Sequence, residues 1–219
     1  CLVDALSRLK LLSSQMSFEP DGEHYATGGR VAPRYSQGRI EATEGRPSTA
    51  PWVHGSAQDG EPPKPVCFTP KEQDSAFVHP AQLPNGKNIL LLKTLLSSAC
   101  ERDCFYCPFR AGRDFRRATF KPEEFANLFN KLNQSGAAEG IFLSSGLAGG
   151  GGRTQDKLLD TAEILRKKYR YRGYLHLKIM PGAEKDQVYR AMQLADRVSV
   201  NLEAPNTERL AKLAPHKMF

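Results

Sequence analysis

"GYLHLKIMPGAEKDQVYRAMQLADRVSVNLEAP", residues 173–205, decides the fold. Residues 173–182 alternate apolar and polar side chains and stop at Pro181-Gly182, as a strand entering a turn does. "DQVYRAMQLA" (186–195) reads as a helix, and "RVSVNLEAP" (197–205) returns to strand alternation. A strand, a helix and a strand joined this closely form a βαβ unit with parallel strands and a right-handed crossover.

The same alternation extends in both directions. "NILLLKTLL" (88–96) follows an Asn85-Gly86 turn and is nearly continuous in apolar residues, which suits a strand buried on both faces. "KPEEFANLFNKLNQSG" (121–136) has Pro122 and two glutamates where a helix begins, and Gly136 where one stops. "EGIFLSSG" (139–146) reads as a strand, "TQDKLLDTAEILRKKYR" (154–170) as a helix, and "TERLAKLAP" (207–215) as one more helix. Four βα units in a row predict an α/β fold, a parallel sheet or barrel.

Alternation inside the strands separates their faces. Val198, Val200 and Leu202 are expected to pack on helices, with Ser199, Asn201 and Glu203 opposite them. Leu175, Leu177 and Ile179 likewise oppose His176 and Lys178. Polar side chains on the inner face, near the C-terminal ends of parallel strands, are where barrel enzymes place their sites. Asn201 and Glu203 read as functional. His176 and Lys178 read equally as site residues or as satisfied core polar groups.

Upstream the texture differs. Ten of the fifteen prolines fall within residues 18–88, where no helical or strand period survives, so the segment reads as an irregular covering tail. Trp52 and Phe68 are expected to pin it, and Cys67 reads as an incidental thiol. "CLVDALSRLKLLSSQMSFEP" reads as an amphipathic helix, because Asp4, Arg8 and Lys10 interrupt any signal-peptide core. The expected organisation is an N-terminal helix and irregular segment over 1–87, followed by a core over 88–219. No apolar run approaches the roughly 20 residues of a membrane helix, and the chain reads as cytoplasmic. Its 40% hydrophobic and 25% charged residues are ordinary for a globular protein. A formal charge of +7 is compatible with an anionic partner such as nucleic acid.

"SSACERDCFYCPFR" (97–110) holds three of the five cysteines, in the loop after the first strand of the series. In a reducing compartment such a cluster binds metal or does redox chemistry more often than it forms disulfides. Three thiolates spaced C-x3-C-x2-C can each hold one iron of a 4Fe-4S cluster, leaving the fourth iron open for catalysis. Zinc is the alternative, but a second C-x2-C pair is missing. Cys100, Cys104 and Cys107 are therefore the expected metal ligands, within reach of a common point, and Cys1 and Cys67 are expected to be dispensable.

With Tyr106 before the last cysteine, this motif in this position resembles the radical S-adenosylmethionine (SAM) superfamily over residues 88–219. The resemblance implies a partial (β/α) barrel that binds a 4Fe-4S cluster and SAM. Reductive cleavage of SAM, with an electron donor such as flavodoxin or ferredoxin, would yield a 5′-deoxyadenosyl radical that abstracts hydrogen. It also implies site roles: Ser144, Ser145 and Gly146 for the methionine ammonium, Asn201 and Glu203 for the ribose hydroxyls, and Tyr106 beside the adenine. The usual Gly-Gly-Glu acid is absent from "LSSG" (143–146).

Taken together, "LLKTLLSSACERDCFYC", "RRATFKPEEFA", "IFLSSG", "GYLHLKIMPGA" and "DRVSVNLEAP" resemble the bacterial DNA modification or repair family of radical SAM proteins. That family carries a helix-hairpin-helix module after the barrel, so DNA is the implied partner. A peptide or small-molecule substrate, or a non-catalytic Fe–S role, are the alternatives. Arg110, Arg113, Arg116 and Arg117 read equally as phosphate contacts or as a solvated face. "GLAGGGGR" (146–153) lacks the Lys-Ser/Thr of a phosphate-binding P-loop and reads as a flexible loop. The chain is expected to be a C-terminally truncated piece, with an unpaired edge at 197–203.

Overall fold

A computed structural model describes residues 2–16, 78–83 and 86–217, which belong to one compact unit. The expectations for Cys1, Trp52, Cys67 and Phe68, and for most of the proline-rich segment, lie outside the described residues. Its sheet has the order β1-β2-β3-β4-β5 and does not close. β2 (Asn88–Leu95), β3 (Gly140–Ser144), β4 (Leu175–Lys178) and β5 (Arg197–Ser199) run parallel, and β1 (Val78–Gln82) lies antiparallel on β2. The α/β architecture with four successive βα units is observed, as an open sheet.

Both faces of the central strands are covered, as in parallel sheets generally. All five residues of β3 and all four of β4 are buried. α2 (Pro122–Gln134) begins at Pro122, carries Glu123 and Glu124 in its first turn, and gives way to Gly136 at φ 75°. Phe125, Ala126, Leu128 and Phe129 supply its buried stripe at helical spacing. α3 (Gly151–Glu163) ends in a π-helical turn, Ile164–Lys168. α4 (Lys185–Leu194) follows β4, and Gln187 Oε1 accepts from the Glu184 backbone N–H at 2.8 Å to cap it. α5 (Thr207–Leu213) starts at Asn206, whose side chain accepts from the Arg209 N–H at 2.9 Å.

α1 (Leu2–Gln15) is part of the same body, with Leu9 and Leu12 fully buried in the core alongside Leu91, Leu92 and Leu95 of β2. Arg8 pairs with Glu124, donates to the Thr119 carbonyl at 3.1 Å and lies 4.6 Å over the Phe120 ring. Among the described residues, no helix is long and apolar enough to cross a membrane.

Three expectations need correction. The irregular reading of 18–88 misses β1, which includes Pro80. A proline lacks the N–H that an inner strand needs, but β1 is an edge strand and tolerates it. The strand expected over 197–205 ends at Ser199, because its neighbour β4 stops at Lys178 and Ile179 donates the last bond, to the Ser199 carbonyl. Val200 and Leu202 are consequently 46% and 68% exposed instead of packing on helices. The glycine run at 149–152 is ordered backbone: Gly149 (φ 83°) and Gly150 (φ 94°) make a left-handed turn and Gly151 opens α3, three residues before the expected helix start.

Leu12→Ala should remove a fully buried side chain from the α1–β2 contact and destabilise the protein by roughly 2–5 kcal/mol. Urea unfolding checks this, and a loss below about 0.5 kcal/mol would show that α1 does not pack into the core.

Candidate functional site

The cysteine loop leaves β2 and returns toward α2 through a neck between Ser97 and Thr119. Their hydroxyls are 2.7 Å apart, the Ser98 N–H donates to the Ala118 carbonyl at 2.9 Å, and the Ala118 N–H donates to the Ser98 hydroxyl at 3.0 Å. Arg117 ties the neck to the loop's interior. Its guanidinium donates to the carbonyls of Ser98 (2.7 Å), Phe109 (2.8 Å) and Arg110 (3.0 Å). A planar fork with five N–H donors suits this convergence. Arg117 is thus a brace and is not available for phosphate. Arg113 and Arg116 are exposed, Arg110 is half-buried, and Gln15 of α1 donates to the Arg116 carbonyl at 3.0 Å.

The β3–α3 loop and the segment that ends α5 hold the outer part. On the β3 side, the Glu101 N–H donates to the Leu147 carbonyl at 2.7 Å, and the N–H groups of Gly149 and Gly150 donate one to each Glu101 carboxylate oxygen, both at 2.9 Å. The glycine run does cradle an anion, but that anion is a side chain of this chain. At the far end of α5, the Phe105 N–H donates to the Leu213 carbonyl (2.9 Å), Arg102 donates to the His216 carbonyl (2.7 Å), and His216 Nδ1 meets Asp103 at 2.8 Å.

Between these braces lies an open cleft at the C-terminal ends of the parallel strands. Cys100, Cys104, Cys107 and Tyr106 line it from the loop, Ser144, Ser145 and Gly146 from the end of β3, and Asn201 and Glu203 from beyond β5. All nine residues singled out from sequence therefore share one cleft. The three cysteines are half-buried and none is in a disulfide. Among the described residues, no group of three or more His, Cys, Asp or Glu side chains is placed to hold a single metal ion. A 4Fe-4S cluster makes a different demand, since each thiolate takes a separate iron atom.

The polar groups are already engaged with one another. The Ser145 hydroxyl donates to the Gly146 carbonyl at 2.8 Å, and the Gly146 N–H donates to the Ser97 carbonyl at 2.6 Å. Lys217 donates to Glu203 at 2.9 Å and to the Tyr106 hydroxyl at 3.2 Å. Burial works to raise the Glu203 carboxyl, but the hydrogen bond and charge of Lys217, with help from Asn201 and Tyr106, hold it below its usual value. Burial, followed by the Glu203 charge, pushes the Tyr106 hydroxyl well up. Burial also raises the Cys104 thiol, with Tyr106 and Lys217 acting in the opposite direction.

His176 and Lys178 part company. His176 is buried, stacks on Phe142 with ring centroids 4.4 Å apart and bonds Ser199 through Nε2 at 2.8 Å, so it is a satisfied core histidine. Lys178 lines the cleft, with Arg102 and Lys217 as further cations. Sequence reasoning passed over Lys217, since a lysine just past a helix C-terminus is ordinary there. Its site role comes only from the turn at Ala214–Lys217, which brings it back under the cysteine loop.

No protein-family model matches this chain, and no curated protein sequence matches it.

The approach of the cysteine loop to β3 requires a glycine at position 146. A Cβ there would lie 2.4 Å from the Ala99 carbonyl oxygen and 3.3 Å from that of Ser97, both backbone atoms. Gly146→Ala should destabilise the protein by roughly 1–3 kcal/mol. Hydrogen exchange should show the neck amides of Ser98 and Ala118 losing protection; unchanged stability and protection would mean that the neck yields freely.

Proposed function

We propose that this chain forms the core of a radical SAM enzyme acting on nucleic acid, with flavodoxin or ferredoxin as electron donor. The observation that carries this reading is the shared cleft. Residues chosen from three distant segments (100–107, 144–146 and 201–203) for three different ligand contacts line a single space. Parallel α/β folds place their ligands at that end of the strands.

Cys100, Cys104 and Cys107 would hold the 4Fe-4S cluster, one iron each. The chemistry the cluster would supply there is one-electron reduction of the SAM sulfonium, which would release methionine and leave a 5′-deoxyadenosyl radical for hydrogen abstraction. The chain's own part is binding, orientation and exclusion of water. Asn201 can both donate to and accept from a ribose hydroxyl, and Glu203, held ionised, accepts from one. Carbonyls along Ser144–Gly146 suit an ammonium, and the absence of an acid there leaves that contact to backbone and hydroxyl oxygens. Leu95, Phe109, Ile179 and Met180 give the cleft apolar walls that limit water around reactive species.

Support for nucleic acid is the formal charge of +7 together with Arg113 and Arg116, which stand exposed on the cysteine loop. Such contacts weaken with salt in proportion to the phosphates neutralised.

Anaerobic reconstitution with iron and sulfide tests the core of the proposal. The wild-type chain should take up iron and bind SAM, and Cys100→Ala, Cys104→Ala and Cys107→Ala should each lose both. Iron content and SAM binding unchanged in all three variants would overturn it. Asn201→Ala and Glu203→Ala should retain iron but weaken SAM binding by about 0.5–1.5 kcal/mol for each lost hydrogen bond. For the substrate class, Arg113→Ala/Arg116→Ala should lower DNA affinity and flatten its salt dependence by about two phosphate equivalents. No DNA binding by the reconstituted wild type at low salt would direct the search to peptides or small molecules.

A further inference from the structure

Lys217 is a buried ammonium inside the candidate cleft, with its side chain only 7% exposed. A buried cation needs a close anionic partner. Lys217 has Glu203, itself 12% exposed, at 2.9 Å, and stands 5.9 Å from the centre of the Tyr106 ring. Glu203 carries a second mark. Its φ of 64° lies in the left-handed region, which non-glycine residues enter rarely and at a cost of about 1 kcal/mol or more. The backbone thus turns sharply where β5 has ended, and that turn sets this carboxylate toward the cleft and Lys217.

We propose that Lys217 is a positioning residue for a diol-bearing ligand of this cleft, fixing the Glu203 carboxylate so that it accepts a hydroxyl of the ligand. This rests on the reading of the cleft as a SAM site. An ionised carboxylate offers about four acceptor positions. Lys217 takes one of these at 2.9 Å, which leaves acceptor positions for a ligand hydroxyl. Without the lysine, the carboxylate would be buried without its cation and would either turn away or take up a proton. A protonated carboxyl accepts less strongly and would have to donate instead. Lys217 also reaches the Tyr106 hydroxyl at 3.2 Å, so one ammonium orients the acceptor and the aromatic ring that flank the same space.

The segment that delivers Lys217 is itself held by the cysteine loop, through Leu213 and His216. A loss on replacing Lys217 could therefore reflect a loosened segment instead of a misplaced carboxylate. A double-mutant cycle on SAM affinity separates the two.

The measurement is calorimetry on the anaerobically reconstituted chain with SAM, and on the chain without iron with adenosine and 2′,3′-dideoxyadenosine. Lys217→Met should weaken SAM and adenosine roughly tenfold, and Lys217→Arg should recover most of that. In a Glu203→Gln background, Lys217→Met should cost less than about twofold further, and it should not change the already weak binding of dideoxyadenosine. Lys217→Gln, which keeps a donor without the charge, replaces the methionine variant if that one does not fold. Equal losses from Lys217→Met in both backgrounds, or on both nucleosides, overturn the positioning role and leave the SAM reading standing. Wild-type protein that binds neither SAM nor adenosine overturns the SAM reading, and this proposal falls with it.

Discussion

The site depends on one constraint: a loop of more than twenty residues must be held open and still carry three thiols into a cleft. Backbone in an unsupported loop has little to satisfy its polar groups except water. Here the neck is closed by Ser97, Ser98, Ala118 and Thr119, and one guanidinium collects three carbonyls from inside the loop. The two flanks then dock onto separate segments, through Glu101 on the β3–α3 loop and through Arg102, Asp103 and Phe105 on the end of α5 and the turn after it. The charged residues between the cysteines, "ERD" (101–103), are thereby accounted for as anchors. Each makes a charge-assisted bond, the strong class of hydrogen bond. With the flanks fixed, Cys100, Cys104 and Cys107 have little choice but to face the space between.

The same constraint explains the first helix. α1 buries Leu9 and Leu12 against the core, while Arg8 and Gln15 bond the carbonyls of Thr119 and Arg116 on the returning leg of the loop. Core burial and loop bracing come from neighbouring stripes of one helix, since Arg8 lies one turn before Leu12 and Gln15 one turn after it. The residues that interrupt its apolar pattern at the sequence level are in part the ones that do the bracing.

The βα series was legible because both signals that define it are local. Strand runs such as "NILLLKTLL" and helix ends such as Pro122 and Gly136 need no knowledge of the partner elements. What was not legible depended on neighbours. β1 sits in a proline-rich background and exists because β2 offers an edge where Pro80 loses nothing. β5 has the alternation of a nine-residue strand but pairs over three, because β4 gives out first. At the candidate site, nine residues picked by type and position line one cleft, whereas their mutual engagement was not legible. Nothing in "APHKMF" marks Lys217, and nothing in four arginines within eight residues distinguishes Arg117, the brace, from exposed Arg113 and Arg116.

The short β5 has a consequence for the chemistry. Had the strand continued to Pro205, Asn201 and Glu203 would stand on a pleated surface, with their directions fixed by strand geometry. Instead the chain leaves the sheet after Ser199, exposes Val200 and Leu202, and enters the left-handed region at Glu203. Directions that a strand would set by backbone pairing are set here by an ion pair and a hydroxyl, from Lys217 and Tyr106. Side-chain partners take over here the role that backbone pairing has on the β3 side. On that side, Gly146 lies so close to backbone atoms of the cysteine loop that there is no room for a side chain. The cleft therefore has one wall placed by backbone packing and one placed by side-chain partners, and the second carries the carboxylate.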